Sequence, residues 1–188
     1  MNKIYFLLIL IVLFTSCVIT KTPGFYSGYW TLSATEKDSI IFVTPQSYIR
    51  DLKNDRKIYA INGIQLRDFL GTIDTSVVYF WSPNCSSDNC ISLKACQDFC
   101  DSKNYHLLVV SNYYDFDKMQ IQNEALFPHP MFSVDEKYYN TKYCNKYNKL
   151  FISDLLVGQK IKEDDLYNRF MIFKKGILLK SVSNILSR

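Results

Sequence analysis

Ser76-Val-Val-Tyr-Phe-Trp-Ser-Pro-Asn-Cys-Ser-Ser-Asp-Asn-Cys-Ile-Ser-Leu-Lys-Ala-Cys-Gln-Asp-Phe-Cys100 is an apolar run that breaks at a proline and delivers a thiol. Val77, Val78, Tyr79, Phe80 and Trp81 are β-branched or aromatic without interruption, the pattern of a strand buried on both faces of a sheet. Ser82 and Pro83 end it. Ser86, Ser87, Asp88 and Asn89 are N-capping types, and Ile91, Ala95, Cys96, Phe99 and Cys100 then recur at helical spacing, which predicts a helix from about Asp88 or Asn89. Cys85 would then sit just before a helix N-terminus, where the helix dipole and unpaired backbone N–H groups favour the thiolate. Phe80 and Phe99 are the expected core between strand and helix.

Outward from this stretch the chain keeps alternating. Toward the N-terminus, Ser39 to Val43 and Lys57 to Ile61 have the composition of strands, Pro45 to Leu52 that of a short helix, and Ile64 to Leu70 that of a helix or turn feeding the Val77 strand. Toward the C-terminus, Asn104 interrupts the helical pattern and His106 to Ser111 forms a second buried strand. A strand, helix and parallel strand connect right-handedly, so both strand C-termini, and Cys85 with them, fall at one edge of the sheet, where α/β folds place ligands. A helix over Phe116 to Leu126, a strand over Met131 to Val134 and a helix over Tyr143 to Leu156 follow, the last with Tyr147, Leu150, Phe151 and Leu155 as its apolar positions. Arg169 to Phe173 and Ile177 to Val182 flank Lys174-Lys-Gly176 and predict a hairpin.

The run Val77 to Cys85 resembles the segment leading into the active site of thioredoxin-fold proteins, especially their membrane-anchored periplasmic relatives. Phe80, Trp81, Ser82, Pro83, Asn84 and Cys85 match the family position by position. The resemblance implies an α/β thioredoxin-like fold, a central mixed sheet flanked by helices, over roughly Ile64 to Val182, with residues 37–75 as an N-terminal extension and 76–188 as the domain proper. It implies that Cys85 and Cys90 are catalytic, with Trp81, Pro83 and Tyr167 as the active-site neighbourhood. Two positions depart from the family. The second cysteine is Cys90, where the family spacing falls on Asp88, and Tyr167 stands about where the family carries a cis-proline. A non-proline cis bond costs about 3 kcal/mol, so a trans peptide is expected there.

At the chain start, Lys3 precedes an almost unbroken apolar run from Ile4 to Phe14, too short for comfortable membrane spanning and typical of an export signal over residues 1–16. Leu13-Phe-Thr-Ser-Cys17 resembles the lipobox of bacterial lipoproteins, which implies acylation at Cys17, a membrane partner through the lipid anchor, and a periplasm-facing location in the cell envelope. Residues 17–36, rich in Thr, Ser, Gly, Lys and Tyr, have the composition of a tether. Removing the signal leaves a length that suits one domain. The 22 Lys and Arg and 18 Asp and Glu are spread out, with no basic stripe of the kind that binds nucleic acid. A 48% hydrophobic content excludes a disordered chain.

Besides Cys17 the chain has five cysteines, so in an exported protein at least one thiol is unpaired or pairs with another molecule. Cys85 and Cys90 are the expected bridge, because a turn before a helix brings their Cα atoms within disulfide reach. That bridge is open to two readings: a redox pair exchanging with protein thiols or disulfides, or a structural disulfide in a binding or scaffolding lipoprotein that kept the fold and lost the chemistry. Cys96 and Cys100 share a helix face and read as small buried hydrophobes. His106 and His129 have no cysteine close in sequence, no metal site is expected, and no Gly-rich phosphate loop, GxSxG or HExxH motif points to a cofactor or another chemistry. The sequence thus points to a possible thiol–disulfide oxidoreductase without a cofactor.

Overall fold

The computed structural model describes residues 23–187 except 46, 86–89, 126–127, 161 and 163–165. The export segment, Cys17, the capping candidates Ser86 to Asn89 and the acidic group Glu163 to Asp165 therefore lie outside the described residues. Among the described residues no helix is long and apolar enough to cross a membrane.

In chain order the regular elements are α1 (Ala34–Asp38), β1 (Ile40–Phe42), β2 (Ile58–Ile61), α2 (Gly63–Leu70), β3 (Thr75–Trp81), α3 (Leu93–Lys103), β4 (His106–Ser111), α4 (Phe116–Ala125), β5 (Met131–Val134), α5 (Cys144–Leu155), β6 (Phe170–Lys174) and β7 (Ile177–Val182). The seven strands form one mixed sheet in the order β1-β2-β5-β4-β3-β6-β7. The strands from β1 to β3 in that order run parallel, and β6 and β7 run antiparallel. The sequence expectation of a mixed sheet with helices on it agrees with this arrangement, in which β1 and β2 belong to the same sheet. The short helix expected over Pro45 to Leu52 is reduced to a single 3-10 turn, Ile49–Asp51.

Each face of the sheet carries its own core. Along β3 the side chains alternate: Val78 and Phe80 join Leu66, Leu108, Val110, Phe151 and Leu155 under α2 and α5, while Val77, Tyr79 and Trp81 join Cys96, Cys100, Leu107 and Val109 under α3. Burial on both faces is why the run shows no polar alternation. Phe80 is buried as expected, but against α5, with its ring 6.0 Å from that of Phe151. Phe99 departs from expectation: it is half-buried, because α3 turns Leu93, Cys96, Gln97 and Cys100 inward instead. Leu150 likewise faces outward, and α5 buries Tyr147, Phe151, Ile152 and Leu155.

Local signals fix the ends of these elements. Asn62 caps α2 in a reciprocal box with Gln65, and Asn104 ends α3 in the left-handed conformation at φ 56°. Helix α3 begins after Ser92, whose side chain accepts the Ala95 N–H, so it starts later than the Asp88 or Asn89 predicted from composition. Lys175 and Gly176, both at positive φ, make the two-residue β6–β7 turn. Gly63 opens α2 against α5 so closely that a Cβ there would lie 2.2 Å from the Phe151 carbonyl oxygen.

The stretch 23–36 is packed, although its composition suggests a tether. Ser27 is fully buried, donates its N–H to the Lys142 carbonyl at 2.9 Å and accepts the Tyr114 N–H at 2.6 Å, while the Phe25 carbonyl accepts the Cys144 N–H. Tyr29 inserts between the rings of Phe42 and Tyr114, at 5.5 and 5.6 Å. This strap has no hydrophobic period because backbone bonds and scattered ring contacts hold it, Tyr29 on Phe42 and Tyr114, and Phe25 and Tyr26 on Tyr143.

Two substitutions should separate these packing environments. Phe80→Ala should cost about 3–5 kcal/mol and Phe99→Ala clearly less, as read from urea unfolding midpoints. Gly63→Ala should cost about 1–3 kcal/mol from overpacking at the α2–α5 joint, measured the same way.

Candidate functional site

The strands β2, β5, β4 and β3 end level with one another, since Ile61 pairs with Val134, Ser133 with Ser111, and Ser111 with Trp81. Beyond Trp81 the chain turns at once, with the Cys85 N–H bonded to the Ser82 carbonyl at 3.1 Å. Asn112, just past β4, ties this turn down: its N–H reaches the Trp81 carbonyl and its Nδ2 reaches Ser82 Oγ at 3.1 Å. The Asn84 N–H donates to the Tyr113 hydroxyl at 3.0 Å, and Asn84 Nδ2 donates to Asp115. The turn that carries Cys85 is thus laced to the neighbouring strand's loop.

Cys85 and Cys90 form a disulfide with Cα atoms 5.9 Å apart, and both are half-buried. The sequence reading placed Cys85 immediately before the helix, but Cys90 and Ile91 intervene before the Ser92 cap, so Cys90 is the cysteine adjacent to the helix start. The cation beside Cys85 is instead a side chain. Arg169 Nη1 lies 3.1 Å from Cys85 Sγ and 3.7 Å from Cys90 Sγ. Its backbone is held by the sheet, because its carbonyl accepts the Phe80 N–H at 2.8 Å.

Trp81 is buried beneath the turn, and Pro83 is half-buried within it. Tyr167 is exposed, and the described backbone contains no cis peptide. Of the segment before β6, Arg169 and not Tyr167 therefore reaches the sulfurs. Sequence reading missed it; the available signal was an arginine opening an apolar strand, on a strand paired antiparallel with the one that leads to Cys85. Tyr79 supports the far side of the loop by donating its hydroxyl to the Ile91 carbonyl at 3.1 Å and stacking on Phe170 at 4.2 Å.

The other thiols are placed for packing. Cys96 and Cys100 are fully buried, and burial pushes both up to about 12; burial pushes Cys144 up to about 11, with the Tyr147 hydroxyl 3.0 Å from its sulfur. Such thiols stay protonated and unreactive at neutral pH. His106 and His129 lie with ring centroids 5.0 Å apart at the opposite edge of the sheet, and burial lowers both. Among the described residues no group of three or more His, Cys, Asp and Glu is placed to hold a metal ion.

Next to the disulfide turn, and roofed by the strap, a cavity of about 950 Å³ opens between Trp30, Asn84, Tyr113, Asp115, Glu136 and Lys142. Asn84 belongs to both the cavity wall and the Cys85 turn. Glu136 is buried, and neither carboxylate oxygen has a hydrogen-bond partner of good geometry. Burial raises its carboxyl above the usual range, against smaller opposing pulls from the Ser27 hydroxyl and Lys137. Comparison with protein-family models, with curated proteins and with solved structures finds no match.

The raised Glu136 carboxyl binds its proton more tightly in the folded than in the unfolded chain. Its contribution to stability is therefore present below the ordinary carboxylate range and is lost as pH rises through the raised value. Glu136→Gln should flatten that decline and raise the melting temperature at neutral pH, while leaving it little changed in acid, as followed by thermal melts across pH.

Proposed function

We propose that the protein is a membrane-anchored, thioredoxin-like thiol–disulfide exchange protein acting through Cys85 and Cys90. The observation that carries this reading is a half-buried disulfide at the C-terminal edge of a buried parallel strand, with a guanidinium in contact with its sulfurs. The order of elements supports the fold assignment: β3, α3 and β4 form a parallel β-α-β unit, and the β6–β7 hairpin adds antiparallel on the other side of β3. The anchor is the acylated Cys17, which places the domain on the periplasmic face of a bacterial membrane.

In the reducing direction the Cys85 thiolate attacks one sulfur of a substrate disulfide, forming a mixed disulfide and releasing the other substrate sulfur as a thiolate. Cys90 then attacks Cys85 Sγ, closes the Cys85–Cys90 bond and releases the second substrate thiolate, so two electrons pass from the pair to the substrate. A dithiol donor restores the reduced pair. The same steps reversed oxidise a substrate dithiol.

Turnover of insulin or of a scrambled disulfide substrate should be present in wild type and absent in Cys85→Ser, and Cys90→Ser should accumulate a mixed disulfide through Cys85, visible as a mass increment that dithiothreitol removes. Wild-type activity no higher than Cys85→Ser, with a bridge that resists reduction below about −300 mV, would make the disulfide structural. For the anchor, Cys17→Ala should abolish incorporation of labelled fatty acid and shift the protein out of the detergent phase; unchanged incorporation would remove the lipoprotein reading.

A further inference from the structure

Arg169 is positioned by the sheet. Its carbonyl pairs with the Phe80 N–H, and the next residue opens β6 alongside β3, so its side chain leaves a fixed backbone and reaches both sulfurs. A disulfide sulfur is a neutral and weak acceptor. A thiolate in the same place carries a full negative charge, which a guanidinium cation attracts. The contact therefore strengthens when the bond is reduced and Cys85 ionises. Any group that favours the reduced state over the oxidised one raises the reduction potential of the pair.

We infer that Arg169 makes Cys85 the thiolate of the pair and sets the pair to accept electrons, so that the substrates of this site are dithiols, which it oxidises. This rests on the exchange reading above. One substrate thiolate attacks Cys85 Sγ, which breaks the Cys85–Cys90 bond and forms a mixed disulfide; Cys90 leaves as a thiolate and takes a proton. The second substrate thiolate then attacks the substrate sulfur of that mixed disulfide, closing the substrate disulfide and expelling Cys85 as the thiolate that Arg169 holds. Two electrons move from substrate to protein, and a disulfide-bearing partner re-oxidises the pair. Among the groups around the loop, Asp115 opposes the thiolate through its negative charge, but it engages Asn84, whereas Arg169 touches the sulfur. Burial raises the phenols of Tyr79 and Tyr113, which stay neutral.

The test compares wild type, Arg169→Gln and Arg169→Lys as full chains in detergent. The readouts are the reduced fraction in glutathione redox buffers and the thiolate absorbance at ultraviolet wavelengths across pH. Arg169→Gln should shift the equilibrium about tenfold toward the disulfide, a potential lower by about 30 mV. Its thiolate fraction well below the Cys85 midpoint should fall about tenfold. Arg169→Lys should keep part of both effects, and Arg169→Ala replaces Arg169→Gln if the latter fails to fold. Oxidised wild type, mixed stoichiometrically with a dithiol peptide, should form the peptide disulfide faster than Arg169→Gln does. An unchanged potential and thiolate titration in folded Arg169→Gln, or an Arg169→Lys protein no different from it, would overturn the role of Arg169. Absence of turnover in wild type relative to Cys85→Ser would instead overturn the exchange reading and, with it, the dithiol substrates, while the potential still decides what Arg169 does.

Discussion

Strand β3 is the constraint on which the rest of the molecule depends. It is hydrogen-bonded on both sides, in parallel to β4 and antiparallel to β6, and it is buried on both faces. A strand so enclosed has neither a free edge nor a wet face, so nearly every side chain from Val77 to Trp81 must be apolar and the register of three strands is set together. After Ser76 the chain next turns polar where β3 leaves the sheet, at Ser82. The Cys85–Cys90 disulfide lies just beyond that point, where the chain is half-buried and meets solvent. The antiparallel neighbour matters as much as the parallel one, since it brings the residue before β6 to the same point from the opposite direction.

Much of this was legible in the chain. The uninterrupted apolar run announced a doubly covered strand, Asn104 marked a real boundary, and the Lys175-Gly176 turn fixed the hairpin. Periodicity misjudged faces where several apolar residues compete for one helix side: Phe99 and Leu150 lost to Cys96, Cys100 and Ile152, which are smaller or better directed. The start of α3 was misplaced because four consecutive capping types precede the serine that does the capping. Composition also hid the strap, because a segment held by backbone bonds and scattered ring contacts leaves no hydrophobic period to detect.

The candidate site was legible only in its local half. Cys85 and Cys90 announce themselves by spacing, and the capped helix that follows them is a local matter. Arg169 is remote in sequence, and its importance comes from strand pairing, which a one-dimensional reading weighs poorly. The structure thereby moves the source of positive charge at Cys85 from a helix end to a side chain. A helix dipole is built into the backbone, whereas a guanidinium is a single replaceable group.

The strap ends where the disulfide is. Gly24 and Tyr26 line the cavity beside the Cys85 turn, so the described chain begins at the edge of the sheet that carries the disulfide. With Cys17 acylated as proposed, the path from anchor to Pro23 can extend to roughly 20 Å at most, given the reach of an extended chain. Such a leash is short. It would keep that edge close to the lipid headgroups, so that a partner anchored in the same bilayer would meet the disulfide more readily than one arriving from bulk solution.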